Sequence, residues 1–68
     1  MNCAACTNPA DPELETYKNP LCFRCSSAWC QEAPALDDVA ERFTTPKEQA
    51  DFLAKWTRTW AEKRKARP

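Results

Sequence analysis

The sequence contains neither histidine nor glycine, and these two absences limit both its chemistry and its turns. Without histidine, the chain lacks the commonest general base and the commonest nitrogen ligand of zinc. Without glycine, it lacks the phosphate-binding loops of nucleotide enzymes, and no serine motif with a base replaces them. The sequence therefore predicts a protein that is not an enzyme. Where a positive φ is required, Asn8 and Asn19 are the expected substitutes for glycine.

Long apolar runs are also absent from the 68 residues. No stretch is long enough to cross a membrane, and Met1 is not followed by the basic and apolar segments of a signal peptide. These features predict a cytoplasmic protein without a membrane partner, in a compartment where thiols stay reduced. A chain of this size buries little apolar surface, so it usually needs a metal, a disulfide or a partner for stability.

Four of the five cysteines form two pairs of equal spacing. Two residues separate Cys3 from Cys6, and two residues separate Cys22 from Cys25. Fifteen residues lie between the two pairs. Each pair can reach one ion from a tight turn, and two pairs complete a tetrahedral shell that has no open position. The sequence therefore predicts one structural Zn²⁺ bound by these four cysteines. The alternatives are reduced core thiols and a redox switch based on disulfides.

The fifth cysteine, Cys30, lies just over one helical turn beyond Cys25 and could compete with it as the fourth ligand. The spacing favours Cys25, because Cys22 and Cys25 already complete the shell. We therefore interpret Cys30 as a spare, half-buried thiol beside Trp29.

The second cysteine pair leads directly into a helical sequence, Leu21-Cys22-Phe23-Arg24-Cys25-Ser26-Ser27. Together with the first pair, it resembles the treble-clef and zinc-ribbon-type fingers with four cysteine ligands, such as those of the GATA and DksA/TraR kinds. The resemblance covers residues 3–30. It implies that the first pair lies on a knuckle and the second at a helix N-terminus, where the helix dipole favours thiolate charge. The glycines and basic recognition residues of GATA fingers are absent, as is the acidic coiled-coil tip of DksA-like proteins.

Helical periodicity follows the second pair. Residues 26–32 can form two turns, and a second helix is expected over residues 34–43, with Leu36, Val39, Ala40 and Phe43 on one apolar face. Residues 15–18 allow a short hairpin.

A third helix has a clear start, because Thr45 and Glu48 form a capping box around Pro46. It is expected to run to about residue 65. The predicted fold is thus a small, metal-stabilised, mainly α protein: a treble-clef-like finger followed by two or three helices. Residues 1–33 form the zinc-binding module, and residues 34–68 form a helical region that packs on it in one compact domain.

Charge is unevenly divided, although the formal net charge is zero. Residues 1–54 contain four basic and nine acidic side chains, whereas residues 55–68 contain six basic and one acidic. A basic tail at residues 63–68 is typical of segments that contact anionic partners. The alternative is a solvated helix end that complements the helix dipole.

The third helix also has an aromatic stripe, formed by Phe52, Leu53, Trp56 and Trp60. Most of the stripe is expected to be core, but Trp60 near its end is expected to stay partly exposed beside the basic tail. An exposed tryptophan next to cations is typical of an interface anchor. The predicted partner-binding residues are Trp60, Lys63, Arg64 and Lys65.

These observations predict a small zinc-binding regulatory or adaptor protein that binds a macromolecule through its C-terminal helix. A protein partner, for example in transcription or replication, is favoured by the acidic body and the tryptophans. The alternative is a nucleic-acid-binding zinc finger that uses the basic helix. A zinc store or redox sensor would require an exposed and labile site.

Overall fold

The computed structural model describes residues 1–66, and its main elements are three α-helices. They are α1 (Phe23–Glu32), α2 (Leu36–Arg42) and α3 (Pro46–Ala66). A short 3-10 helix at Pro12–Leu14 and two isolated antiparallel bridges organise the segment before α1. The expected mainly α character is confirmed, whereas Arg67 of the basic tail lies outside the described residues. Among residues 1–66, no helix has both the length and the apolar character that a bilayer span requires.

The long helix α3 begins at the residue that its capping sequence predicts. Pro46 takes the first helical position, and the backbone N–H of Glu48 donates to Thr45 Oγ1 at 3.2 Å. From the first turn of the helix, the Gln49 side chain donates to the carbonyl of Phe43, which precedes the helix, at 2.9 Å. This bond closes the connection from α2, so the entry to α3 is fixed from both sides.

The helix α2 is shorter and less buried than its sequence pattern predicts. Ala35 is extended, so the helix starts at Leu36 and ends at Arg42. Only Val39 of the expected apolar face is buried within it; Ala40 is exposed, and Leu36 is 66% exposed. Most of the predicted apolar positions of α2 therefore lie outside the core. Phe43 follows the helix and is half-buried.

The main core lies between the segment before α1 and the C-terminal end of α3. Its buried members are Cys3, Ala5, Leu21, Cys22, Cys25, Trp60 and Ala61. Sulfur atoms and alanines supply much of this core, and only Leu21 and Trp60 are large apolar residues. The core is therefore small in apolar area, and cysteines form a large part of it.

A buried hydrogen bond joins α1 to the middle of α3. The indole Nε1–H of Trp29 donates to Thr57 Oγ1 at 2.9 Å, and Thr57 is 0% exposed. Leu53, one turn earlier on the same face of α3, is also buried. The inner face of α3 therefore runs through Leu53, Thr57, Trp60 and Ala61.

A tight turn at Tyr17 and Lys18 forms the short hairpin allowed by residues 15–18. Thr16 and Asn19 pair across it in an antiparallel bridge. Tyr17 has a φ of 45° and Lys18 a φ of 70°. Among the described residues, no other non-glycine φ is positive. The assignment of positive φ to Asn8 and Asn19 was therefore wrong; the two central residues of this hairpin adopt it instead.

Candidate metal centre

The first cysteine pair lies on a loop that the backbone closes on itself. An antiparallel bridge joins the two ends of this loop. Inside it, the Cys3 N–H donates to the Asn8 carbonyl at 2.9 Å, and the Ala5 N–H donates to Cys3 Sγ at 3.4 Å. The Ala4 N–H donates to the Pro20 carbonyl at 2.7 Å. This last bond holds the loop against the segment that leads to the second pair.

The second cysteine pair lies at the start of α1. Cys22 is the extended N-cap residue, and Cys25 follows in the first turn. The Ser26 N–H donates to the Cys22 carbonyl at 2.8 Å, so helical bonding begins at Cys22 itself. Both sulfur atoms are therefore placed near the positive end of the helix dipole, which favours their thiolate forms.

The four sulfur atoms of Cys3, Cys6, Cys22 and Cys25 lie within 4.8 Å of one another. Cys6 Sγ and Cys22 Sγ are 3.6 Å apart, and all four cysteines are free thiols. A tetrahedral shell with metal–sulfur distances of about 2.3 Å places its sulfur atoms about 3.8 Å apart. The spacing in the structure therefore fits four ligands around one ion, and the prediction that these residues form a metal-binding group is confirmed at the level of their positions.

The surroundings divide the thiols into easily and poorly ionised groups. Burial raises the pKa of Cys6, and burial together with the thiol of Cys22 raises the pKa of Cys25 to about 12. The pKa of Cys22 is lowered to about 7, since the backbone N–H of Cys25 and the neighbouring thiols outweigh the effect of burial. The Cys22 side chain makes no capping hydrogen bond, so the backbone N–H of Cys25 lowers this pKa only by lying near the thiol. A cation at the centre of the group would favour all the thiolates.

The walls around the sulfur atoms come from both ends of the chain. Cys3, Cys22 and Cys25 are buried, and Cys6 is half-buried. Trp60 and Ala61 of α3 belong to the same buried cluster. Trp60 Nε1 is buried without a hydrogen-bond partner among the described residues. The four sulfur-bearing residues thus lie within or beside the main core.

Cys30 lies outside this group. Its thiol is exposed, rather than half-buried as the sequence suggested. The metal-binding group consists of Cys3, Cys6, Cys22 and Cys25 without it. Cys25 is therefore the better candidate for the fourth ligand, as its spacing predicts.

The predicted partner-binding residues do not form one surface. Trp60 is only 8% exposed, so its expected exposure was wrong. Arg64 is half-buried; its guanidinium lies 5.3 Å from the centre of the Trp60 ring and 3.4 Å from Glu32 Oε2. Lys63 and Lys65 are exposed. The burial of Trp60 was not predicted, because the cysteine loops that cover it lie far from it along the chain.

Sequence reasoning missed two features near the site. Thr57 looks like a surface threonine in sequence, yet it accepts the buried hydrogen bond from Trp29. Its position four residues after Leu53 and four before Ala61 was the available signal. The strained pair Tyr17 and Lys18 had no signal, because neither residue type favours a positive φ.

No protein-family model, curated protein or solved structure matches this chain.

Proposed function

We propose that the four cysteines bind one structural Zn²⁺ and that the ion completes the core of the protein. Four thiolates at tetrahedral spacing are a ligand set typical of structural zinc. The ion would offset about half of the charge of the four thiolates and link the cysteine loop to α1. A zinc store or redox sensor is less well supported, since three of the four sulfur-bearing residues are buried.

The arrangement around the proposed ion supports a treble-clef finger. The first pair lies on a closed loop, a two-residue hairpin follows at Tyr17 and Lys18, and the second pair begins α1. The resemblance implied the knuckle and the helix, and the sequence of residues 15–18 allowed the hairpin between them. The finger is here extended by α2 and α3.

We infer a binding role rather than catalysis, in a small regulatory or adaptor protein. Four protein ligands would leave no coordination position for a substrate, and the chain has no histidine to serve as a base. The observation that carries the proposal is the division of α3 into two faces. Its inner face is buried in the core, and its outer side carries exposed cations: Lys47, Lys55, Arg58, Lys63 and Lys65.

The burial of Trp60 shifts the proposed partner from protein to nucleic acid. A protein hot spot on α3 needed an exposed aromatic anchor, and Trp60 is instead part of the core. The exposed lysines and Arg58 remain, and such residues bind phosphates without an apolar anchor. A protein partner remains a second candidate because Phe23 and Leu36, which lie outside α3, are 74% and 66% exposed.

Binding to generic oligonucleotides at two salt concentrations tests the proposal. We expect measurable affinity at about 50 mM salt and a loss of at least tenfold at about 200 mM, since each phosphate contact releases counterions. Fluorescence polarisation of labelled DNA with zinc-loaded protein gives both values. A protein that binds no nucleic acid at low salt, but loses its host partner on Phe23→Ser or Leu36→Ser, would establish the second candidate instead.

A further inference from the structure

The hairpin tip at Tyr17 and Lys18 is closed by two backbone hydrogen bonds. The Thr16 N–H donates to the Asn19 carbonyl at 2.8 Å, and the Asn19 N–H donates back to the Thr16 carbonyl at 2.9 Å. This geometry requires a positive φ at both central residues, which Asn and Gly normally supply. Here a tyrosine and a lysine supply it.

The two strained residues have different explanations. The Tyr17 ring packs against the Trp29 ring, with 5.9 Å between their centres, so its position contributes to packing. Lys18 is exposed, and among the described residues it makes no hydrogen bond or ion pair. The hairpin accounts for the backbone of Lys18, but no contact among the described residues accounts for its charged side chain.

The side chain of Asn19 fixes this tip against α3. Its Nδ2 donates to the Tyr17 carbonyl at 2.9 Å and also lies 3.4 Å from the Ala54 carbonyl of α3. The tip and the helix together enclose a shallow hollow of about 420 Å³, which Lys18 lines with Lys55 and Arg58. Three cations from two separate elements are thus held around one concave surface.

The carboxylates nearby only partly offset these cations. Asp51 lines the same hollow. Glu62 lies 3.4 Å from Arg58 Nε, in an ion pair whose side chains are both largely exposed, so solvent screens it. Placing three like charges around one hollow reduces stability, which is a reason to seek the role of the cluster in binding.

We propose that Lys18, Lys55 and Arg58 form a phosphate-binding surface for single-stranded nucleic acid, an inference that rests on the proposed function. A flexible strand can follow the concave hollow, whereas a rigid duplex would also approach the acidic residues 1–54. Lys65 lies about 10 Å farther along α3 than Arg58, since the helix rises 1.5 Å per residue. It extends the row of cations beyond the hollow.

The variant Lys18→Gly separates this role from a structural one. Glycine adopts positive φ without strain, so this variant should keep its zinc and melt at the same or a higher temperature. It also removes the charge, so its affinity for a labelled oligo-dT of about 20 nucleotides should fall about three- to tenfold at low salt, and the salt slope should shrink by about 0.7. The double variant Lys55→Ala/Arg58→Ala should lose more affinity than Lys18→Gly.

Arg42→Ala is the matched control, since Arg42 is an exposed cation at the end of α2 that does not line the hollow. We expect it to bind oligo-dT almost as well as the unaltered protein. If oligo-dT binds but Lys18→Gly has full affinity while Lys63→Ala, a change on α3 outside the hollow, is weakened, this surface is wrong and the proposed function stands. If no oligonucleotide binds at low salt, both are wrong. A duplex that binds as tightly as oligo-dT would refute the preference for a single strand. Polyglutamate that binds as tightly as oligo-dT would refute the preference for nucleic acid.

Discussion

The hydrogen bond from Trp29 to Thr57 allows a direct test of how α1 is held on α3. In Thr57→Val the side chain keeps its branched shape, so the substitution leaves no cavity and removes only the oxygen that accepts the Trp29 Nε1–H. A buried donor without a partner costs about 1–3 kcal/mol. Trp29 is only half-buried and can recover water by a small movement, so we expect the lower end, about 1 kcal/mol.

Urea unfolding followed by circular dichroism, with zinc in excess, measures this free energy. Thermal melting should show a decrease of about 4–8 °C for a loss of 1 kcal/mol in a domain of this size. Thr59→Val is the control, because Thr59 is exposed on the same helix and the substitution makes the same change in helix propensity. It should change stability by less than about 0.5 kcal/mol.

A double-mutant cycle with Trp29→Phe isolates the bond from the rest of the packing. When both polar partners are absent, Thr57→Val should be nearly neutral, because neither side is left with an unpaired group. The coupling energy should therefore be about 1 kcal/mol. If Thr57→Val lowers the free energy of unfolding equally in the unaltered protein and in Trp29→Phe, the hydrogen bond contributes no stability, and the reasoning is refuted.

Three further predictions concern the metal centre and the end of α3. Cys30→Ser should retain one zinc per chain by elemental analysis and Cys25→Ser should not; the reverse result would change the fourth ligand. Zinc affinity, measured by competition with a chromophoric chelator, should rise with pH because Cys6 and Cys25, whose pKa values are raised, must lose protons to bind. It should fall more steeply below about pH 7, where Cys22 is also protonated, and a flat profile would exclude thiolate ligands. A chain ending at Thr59 loses Trp60 and should bind zinc far more weakly than one ending at Lys65, as calorimetry would show.

The local features of the fold could be predicted from the sequence. The start of α3 follows from Thr45, Pro46 and Glu48, whose interactions span only a few residues. The cysteine group was predictable for a similar reason, since two residues between ligands already restrict each pair to one turn. Both signals are complete within a short window of sequence.

Features that depend on contacts between distant parts of the chain could not be predicted from the sequence. Trp60 is buried because the cysteine loops cover it, and no pattern within α3 indicates this. The positive φ of Tyr17 and Lys18 goes against their intrinsic preferences, and it persists because the hairpin bonds and Asn19 hold the tip. The start of α2 was predicted two residues too early, since Ala35 is extended and the helix begins at Leu36.

The meeting of both ends of the chain around the sulfur atoms has a consequence for synthesis. Cys3 lies near the first residue, whereas Trp60 and Ala61 close the same core from the end of α3. A nascent chain can therefore present all four cysteines long before it has made the residues that bury them. Until Trp60 and Ala61 dock, the thiols lack the cover that these two residues provide. We expect the order of zinc capture and helix docking to decide how much of the newly made protein folds correctly.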